Sequence, residues 1–171
     1  MFRHLDDFRS CWREEGAKTL EVFNAIPDEA MGVAVTPEHR DLRRLAWHLV
    51  ETLIEMPGHC GLEIAGSQLV QGGFIVAPPG TMKEISDAYA AASDSLLEAL
   101  RAWTDGDLET EDEMYGDRFK RGITLFILVM HQAHHRGQMT VLMRQAGLKV
   151  PGLYGPAKEG WAAFGMEAPS V

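Results

Sequence analysis

Apolar side chains recur at helical spacing in four long segments, and this period constrains the fold more than any other feature of the chain. No stretch shows the convincing alternation of a β-strand. The segments are residues 2–26, 37–56, 81–103 and about 117–146, the last beginning at Asp117 or Arg118. The sequence therefore predicts an all-α protein.

Residues that favour helix ends mark the limits of the second segment. Thr36 is suited to the N-cap position, and Pro37 is suited to the first helical turn, where its missing N–H costs nothing. Pro57 and Gly58 are expected to end the helix. The sequence predicts a second helix that starts at Pro37 and stops near Met56.

The third and fourth segments carry equally clear end signals. Thr81 and Glu84 match the capping box, in which each residue satisfies an N–H of the other. Gly147 stands where a left-handed residue commonly closes a helix. Residues 104–117 between the two segments are acidic, and we expect them to form a solvated turn.

The connections between the segments predict the architecture. Residues 58–80 form a long link with several glycines and prolines, including Gly72-Gly73. Four helices with one long crossover describe a four-helix bundle that is not simply up-down-up-down. A chain of 171 residues suits a single domain over residues 1–171. The tail, residues 148–171, holds Tyr154, Trp161 and Phe164, and we expect it to pack across the bundle.

The charge and composition of the chain exclude several classes of function. A formal net charge of −9 disfavours binding to the phosphate backbone of nucleic acids. No window approaches the roughly 20 apolar residues needed to cross a bilayer. The N-terminus lacks the order of a signal peptide, so we expect a cytoplasmic protein with Cys11 and Cys60 as reduced thiols.

Two histidines in the last segment carry the chemical information. His131 and His135 are four residues apart and point only about 40° from each other on a helix. Imidazoles at this spacing can converge on one metal ion, as they do in the H-E-x-x-H zinc motif. They lie on a mainly apolar face that should look into the bundle, and Gln138 is next on that face. Spacing alone also fits two histidines that make ordinary hydrogen bonds, and His134 fits a solvent-side position.

A metal site needs a third protein ligand from another helix. The remaining histidines are His4, His39, His48 and His59, and only His48 falls in the middle of a helix. Its direction lies about 110° from the centre of the apolar stripe on the second helix. Periodicity therefore leaves its role open.

At these residues the chain resembles the DinB-like metalloprotein superfamily, which includes thiol-transferase relatives. The family motif H-x-x-x-H-R-G-Q is similar to the sequence between His131 and Gln138, and a mid-helix histidine corresponds to His48 in Trp47-His48-Leu49. Two downstream runs, LMRQAG at 142–147 and VPGLYGP at 150–156, are also similar to many members. The resemblance spans most of the chain.

The resemblance implies an up-down-down-up bundle, commonly a homodimer, with His48, His131 and His135 as ligands of a divalent metal. Zinc is the metal we expect first, followed by nickel or manganese. The implied activity is transfer of a low-molecular-weight thiol, such as bacillithiol or mycothiol, to a small electrophile, with Gln138 as a polar neighbour that contacts the cofactor.

Two other functions stay open from the sequence. One is a stress-related metal-binding or interaction protein without turnover, and the other is a metal-dependent hydrolase. A hydrolase needs a positioned acid or base. The sequence offers only Glu51, about 60° from His48 on its helix, and we expect Glu51 to be a solvated acid.

Overall fold

Four α-helices form the frame of the protein in the computed structural model, which describes residues 1–70 and 76–170. The helices are α1 (Leu5–Asn24), α2 (Leu42–His59), α3 (Met82–Ala99) and α4 (Arg121–Gln145). Short 3-10 turns cover Asp28–Ala30, Ser67–Leu69, Leu100–Ala102, Asp105–Glu109 and Lys158–Phe164, and two strands, β1 (Glu111–Met114) and β2 (Asp117–Lys120), form a hairpin. None of the described helices is long and apolar enough to span a membrane.

The helices pack as an up-down-down-up bundle, which confirms the predicted fold class. Helices α1 and α2 each pack on both α3 and α4. Helix α3 runs antiparallel to α1, α4 runs parallel to α1, and α2 runs antiparallel to α4. The direction of α3 relative to α1 follows from the contacts Trp12–Ser93 and Phe23–Tyr89. That of α4 relative to α1 follows from Phe2–Phe126 and Glu15–Arg136. That of α2 relative to α4 follows from Leu49–Gln132 and Cys60–Thr124.

The parallel order of α2 and α3 requires the chain to return along the length of the bundle between them. The predicted long link supplies this connection, and its described part includes the turn at Ser67–Leu69. Residues 71–75, with the predicted Gly72-Gly73 pair, lie outside the described residues.

Both ends of α2 differ from the prediction. The N-cap is Asp41, whose carboxylate accepts the N–H of Arg44, so the helix starts five residues later than expected. The Thr36 hydroxyl instead bonds to the side chains of Glu38 and His39. At the other end Pro57 lies inside the last turn, and the helix continues to His59. The Pro57 carbonyl accepts the N–H groups of residues 60 and 62, just beyond the helix.

The hairpin is the largest departure from the sequence prediction, which expected a solvated turn. Tyr115 and Gly116 both have positive φ values, 58° and 88°, as a two-residue type I′ turn requires. Across the strands Glu111 faces Lys120 and Glu113 faces Arg118, so opposite charges meet in register. Helix α4 consequently begins at Arg121 rather than at 117 or 118.

The other end signals are confirmed. Thr81 and Glu84 form both hydrogen bonds of the capping box at the start of α3. Gly147 takes a φ of +72° after α4.

In the tail that follows Gly147, Leu148, Val150 and Leu153 pack against the core, whereas Phe164 is exposed.

A buried ion pair joins α1, α4 and the tail. The Arg136 guanidinium donates to the Glu15 carboxylate, to Thr19 and to the Tyr154 oxygen, and the Tyr154 hydroxyl donates to Glu15. Burial raises the pKa of Glu15, but the hydrogen bonds from Tyr154 and Lys18 and the charge of Arg136 outweigh burial, so its pKa falls below the ordinary value. This cluster holds the two parallel helices together below the tail.

Replacing Arg136 with methionine is expected to destabilise the fold by roughly 3 kcal/mol, because it removes the buried guanidinium from Glu15 and leaves Lys18 as the remaining cationic partner of that carboxylate. The matched control is Arg144→Met. Arg144 lies on the same helix as Arg136, and its loss removes a partly exposed ion pair with Glu159, which should cost less than about 1 kcal/mol. Urea unfolding gives both values. Equal costs for the two variants would show that the buried pair has no special role.

Candidate metal centre

Three histidines from two helices meet between α2 and α4. The ring centroids of His131 and His135 are 4.4 Å apart, and His48 lies 5.1 Å from the first and 4.8 Å from the second. One ring nitrogen from each lies within 4.8 Å of the other two. These are the three residues that the sequence analysis put forward as ligands.

Gln132 sets the register that brings the histidines together. Its side chain is fully buried, and its amide nitrogen donates to the carbonyl of Leu49 on α2 at 3.1 Å. The Tyr89 hydroxyl on α3 donates to the Gln132 oxygen, also at 3.1 Å. Because Leu49 follows His48 and Gln132 follows His131, this hydrogen bond fixes the two helices beside the site.

The donor set fits a divalent metal ion. The Nε2 atoms of His131 and His135 are 3.2 Å apart. Two ligands of a tetrahedral zinc ion at 2.0–2.1 Å would be about 3.3 Å apart, which is close to this spacing. Ligation through Nε2 would satisfy one nitrogen of the His131 ring, whose Nδ1 atom is buried and has no hydrogen-bond partner among the described residues.

Gln138 orients His135. The Gln138 oxygen lies 2.7 Å from Nδ1 of His135, and its amide nitrogen lies 3.1 Å from Nε2 of His134. An amide oxygen only accepts, so His135 carries its proton on Nδ1 and presents the lone pair of Nε2 toward the other histidines. This is the arrangement that metal-ligating histidines commonly adopt.

The electrostatic setting keeps the α4 histidines neutral. Burial, reinforced by the neighbouring imidazoles, lowers the pKa of His131 to about 4. Burial also lowers the pKa of His135 to about 4, although its bond to Gln138 opposes the shift. The positive charge of Arg40 also lowers both pKa values, so Arg40 contributes to the electrostatic potential at the two histidines. Neutral imidazoles are the form that binds metal.

Arg44 was not predicted as part of the site from the sequence, and Glu51 was predicted with the wrong surroundings. The prediction that Glu51 is a solvated acid is wrong, since the residue is 0% exposed. Its Oε2 lies 3.8 Å from Nδ1 of His48 and accepts a hydrogen bond from Arg44. The seven-residue spacing of Arg44 and Glu51 puts them on one face of a helix, and this signal could have found the pair.

The other four histidines are not members of the cluster. His4 bonds to Asp105, His39 to Thr36, His59 to Glu55 and His134 to Gln138. The structure thus separates the three clustered imidazoles from the other candidates that the sequence left open.

Comparison with known proteins assigns the family. A model described as the DinB family matches residues 1–169. The chain belongs to the DinB family. The uncharacterized protein YrdA of Bacillus subtilis (strain 168) is 41% identical over 172 residues, with 100% of each chain covered.

Solved structures agree with this assignment. A DinB-like protein from Bacillus cereus ATCC 10987 is 37% identical with a TM-score of 0.83, covering 90% of this chain and 100% of that one. A second DinB-like protein, YjoA from Bacillus subtilis, is 14% identical with a TM-score of 0.68, covering 88% of this chain and 99% of that one, and supports the fold alone.

An open groove reaches the histidine cluster of this DinB-family protein. It has a volume of about 530 Å³ and includes His135 and Gln138. Leu45, Val141 and Leu142 give it apolar walls, and the charged residue Arg40 also lines it. A larger cavity of about 680 Å³ lies under the tail and contains none of the three histidines, so size alone does not identify the site.

Replacing His131 or His135 with alanine is expected to abolish stoichiometric zinc binding while the bundle stays helical, because the large core does not depend on the site. His59→Ala is the matched control, because His59 pairs with Glu55 and lies outside the cluster, and it should still bind one zinc ion per chain. Elemental analysis after dialysis, paired with circular dichroism, measures both properties. Loss of the helical signal together with the metal would show the site to be structural instead.

The stability of the metal-free protein is expected to fall as the pH drops from about 6.5 toward 4. The unfolded histidines take up protons near pH 6.5, whereas folded His131 and His135 do so only near 4, so in this window protons favour the unfolded state. Urea midpoints at pH 7.5 and 5 would measure the decline. A His131→Gln/His135→Gln variant should decline less than the wild type, and an equal decline would refute the assignment.

Proposed function

We propose that this protein binds one divalent metal ion, zinc first among the candidates, through His48, His131 and His135, and that it acts as a metal-dependent transferase of a low-molecular-weight thiol. The observation that carries the proposal is the convergence of three imidazole nitrogens within 4.8 Å beside a groove. The choice of a thiol as the substrate rests on the family resemblance. The charge and apolar character of the groove residues also support it.

The number of ligands favours binding or catalysis over a structural role. Structural zinc sites are usually closed by four protein ligands, whereas catalytic sites use three and leave a position open. In residues 1–70 and 76–170 the cluster consists of three histidines, without a fourth Cys, Asp or Glu. When bound, a divalent cation would supply the positive charge that keeps a thiol ionised at neutral pH.

The chain's own residues suit an anionic thiol and an apolar electrophile. Arg40 is exposed at the groove and makes no ion pair within the described part of the chain, so its guanidinium is available for a carboxylate. Val141 and Leu142 offer an apolar surface for the second substrate. In the transfer, the sulfur forms a bond to carbon, the thiol proton passes to solvent, and the leaving group departs with its electron pair.

The acids around the site favour a thiol reaction over hydrolysis. Glu51 is engaged by Arg44, and Glu38, at the groove, accepts a hydrogen bond from Thr36 that lowers its pKa. Neither carboxylate is placed as a general base for a water molecule. An ionised thiol needs no such base, because it is already the reactive nucleophile.

A conjugation assay tests the proposal. Zinc-loaded protein with monochlorobimane and bacillithiol or mycothiol should form the conjugate, and metal-free protein and His135→Ala should not. Arg40→Gln is expected to lower kcat/KM for a carboxylate-bearing thiol by roughly tenfold through loss of a charge-assisted hydrogen bond. The same variant should leave the reaction with neutral 2-mercaptoethanol nearly unchanged.

The assay also has an outcome that contradicts the transferase. Tight zinc binding without conjugate formation for any thiol in the panel would support a metal-binding protein without turnover. Equal effects of Arg40→Gln on charged and neutral thiols would refute the role of Arg40 in recognising an anion.

A further inference from the structure

A buried carboxylate, that of Glu51, lies three residues after His48 on the same helix. Glu51 is 0% exposed, and its Oε1 atom has no hydrogen-bond partner among the described residues. Its Oε2 atom accepts from Arg44 and lies 3.8 Å from Nδ1 of His48. A buried carboxylate is costly unless nearby donors satisfy its oxygens, so this placement calls for an explanation.

The Arg44 side chain neutralises Glu51 and holds it in place. One of its nitrogens donates to Glu51, and the other donates to the carbonyl of Val76 at 2.9 Å, which anchors the guanidinium to the far end of the α2–α3 link. The carboxylate is therefore fixed between Arg44 and His48. A shift of about 1 Å would bring His48 Nδ1 into hydrogen-bond range of Oε2.

We propose that Glu51 is a positioning residue of the metal site, which accepts a hydrogen bond from the Nδ1–H of His48 and turns the opposite nitrogen, Nε2, toward the cation. The inference rests on the proposed metal site. Gln138 does the same for His135 with a neutral amide, at 2.7 Å. The carboxylate differs by also making the imidazole a stronger donor to the metal, while Arg44 balances its charge.

Glu51→Gln tests this role, because it keeps the size and an acceptor oxygen but removes the charge. We expect one zinc ion per chain still to bind, with an affinity lower by roughly tenfold or more. The matched control is Glu55→Gln, one turn further along α2, where the carboxylate pairs with His59 at 3.0 Å. Its zinc affinity should equal that of the wild type. Competition with a chromophoric chelator at pH 7.5 gives the affinities.

A second readout separates positioning from a structural salt bridge. In zinc-loaded wild-type protein, the Nδ1 proton of His48 should give a slowly exchanging NMR resonance that shifts or disappears in Glu51→Gln. A purely structural role predicts a lower urea midpoint with unchanged zinc affinity and an unchanged resonance, which would overturn the inference. Failure of the wild type to bind zinc at all would refute the proposed function, whereas equal affinity of wild type and Glu51→Gln would refute only the role of Glu51.

Discussion

The antiparallel packing of α2 against α4 is the constraint on which the site depends. It places a mid-helix histidine of one helix opposite an i, i+4 pair of the other, and the buried hydrogen bond from Gln132 to the Leu49 carbonyl fixes the register beside them. Slipping either helix by one turn would move the rings about 5.4 Å apart and leave no common point for a cation. The bundle therefore holds the three side chains in a fixed arrangement, and we expect its apolar core to form without the metal.

The site is electrostatically unusual within an acidic protein. The imidazoles of His131 and His135 have pKa values near 4 because of burial, while the net charge of the whole chain is −9. The side chains next to the histidines differ in chemical type. The amide of Gln138 lies beside His135, and the carboxylate of Glu51, which is neutralised by Arg44, lies beside His48. A metal in this position would retain most of its charge toward the groove, which is the property that an incoming anionic ligand would use.

The sequence predicted what local spacing determines. Helical period predicted four helices, the capping box located the start of α3, and four-residue spacing placed His131 and His135 side by side. Where local signals compete, prediction failed: Asp41 caps α2 in place of Thr36, and the hairpin depends on charge pairing across strands that helical period does not reveal. The place of His48 depended on packing between distant helices, and only family resemblance favoured it. The homodimer, the thiol and the cytoplasmic location stay predictions.

Anomalous scattering from crystals of zinc-loaded protein, recorded above and below the zinc absorption edge, tests the central claim most directly. One peak per chain is expected between α2 and α4, with a nitrogen of His48, His131 and His135 each at about 2.0–2.1 Å from its centre. A peak ligated by other residues, or zinc held by the α4 pair while His48 stays beyond bonding distance, would contradict it.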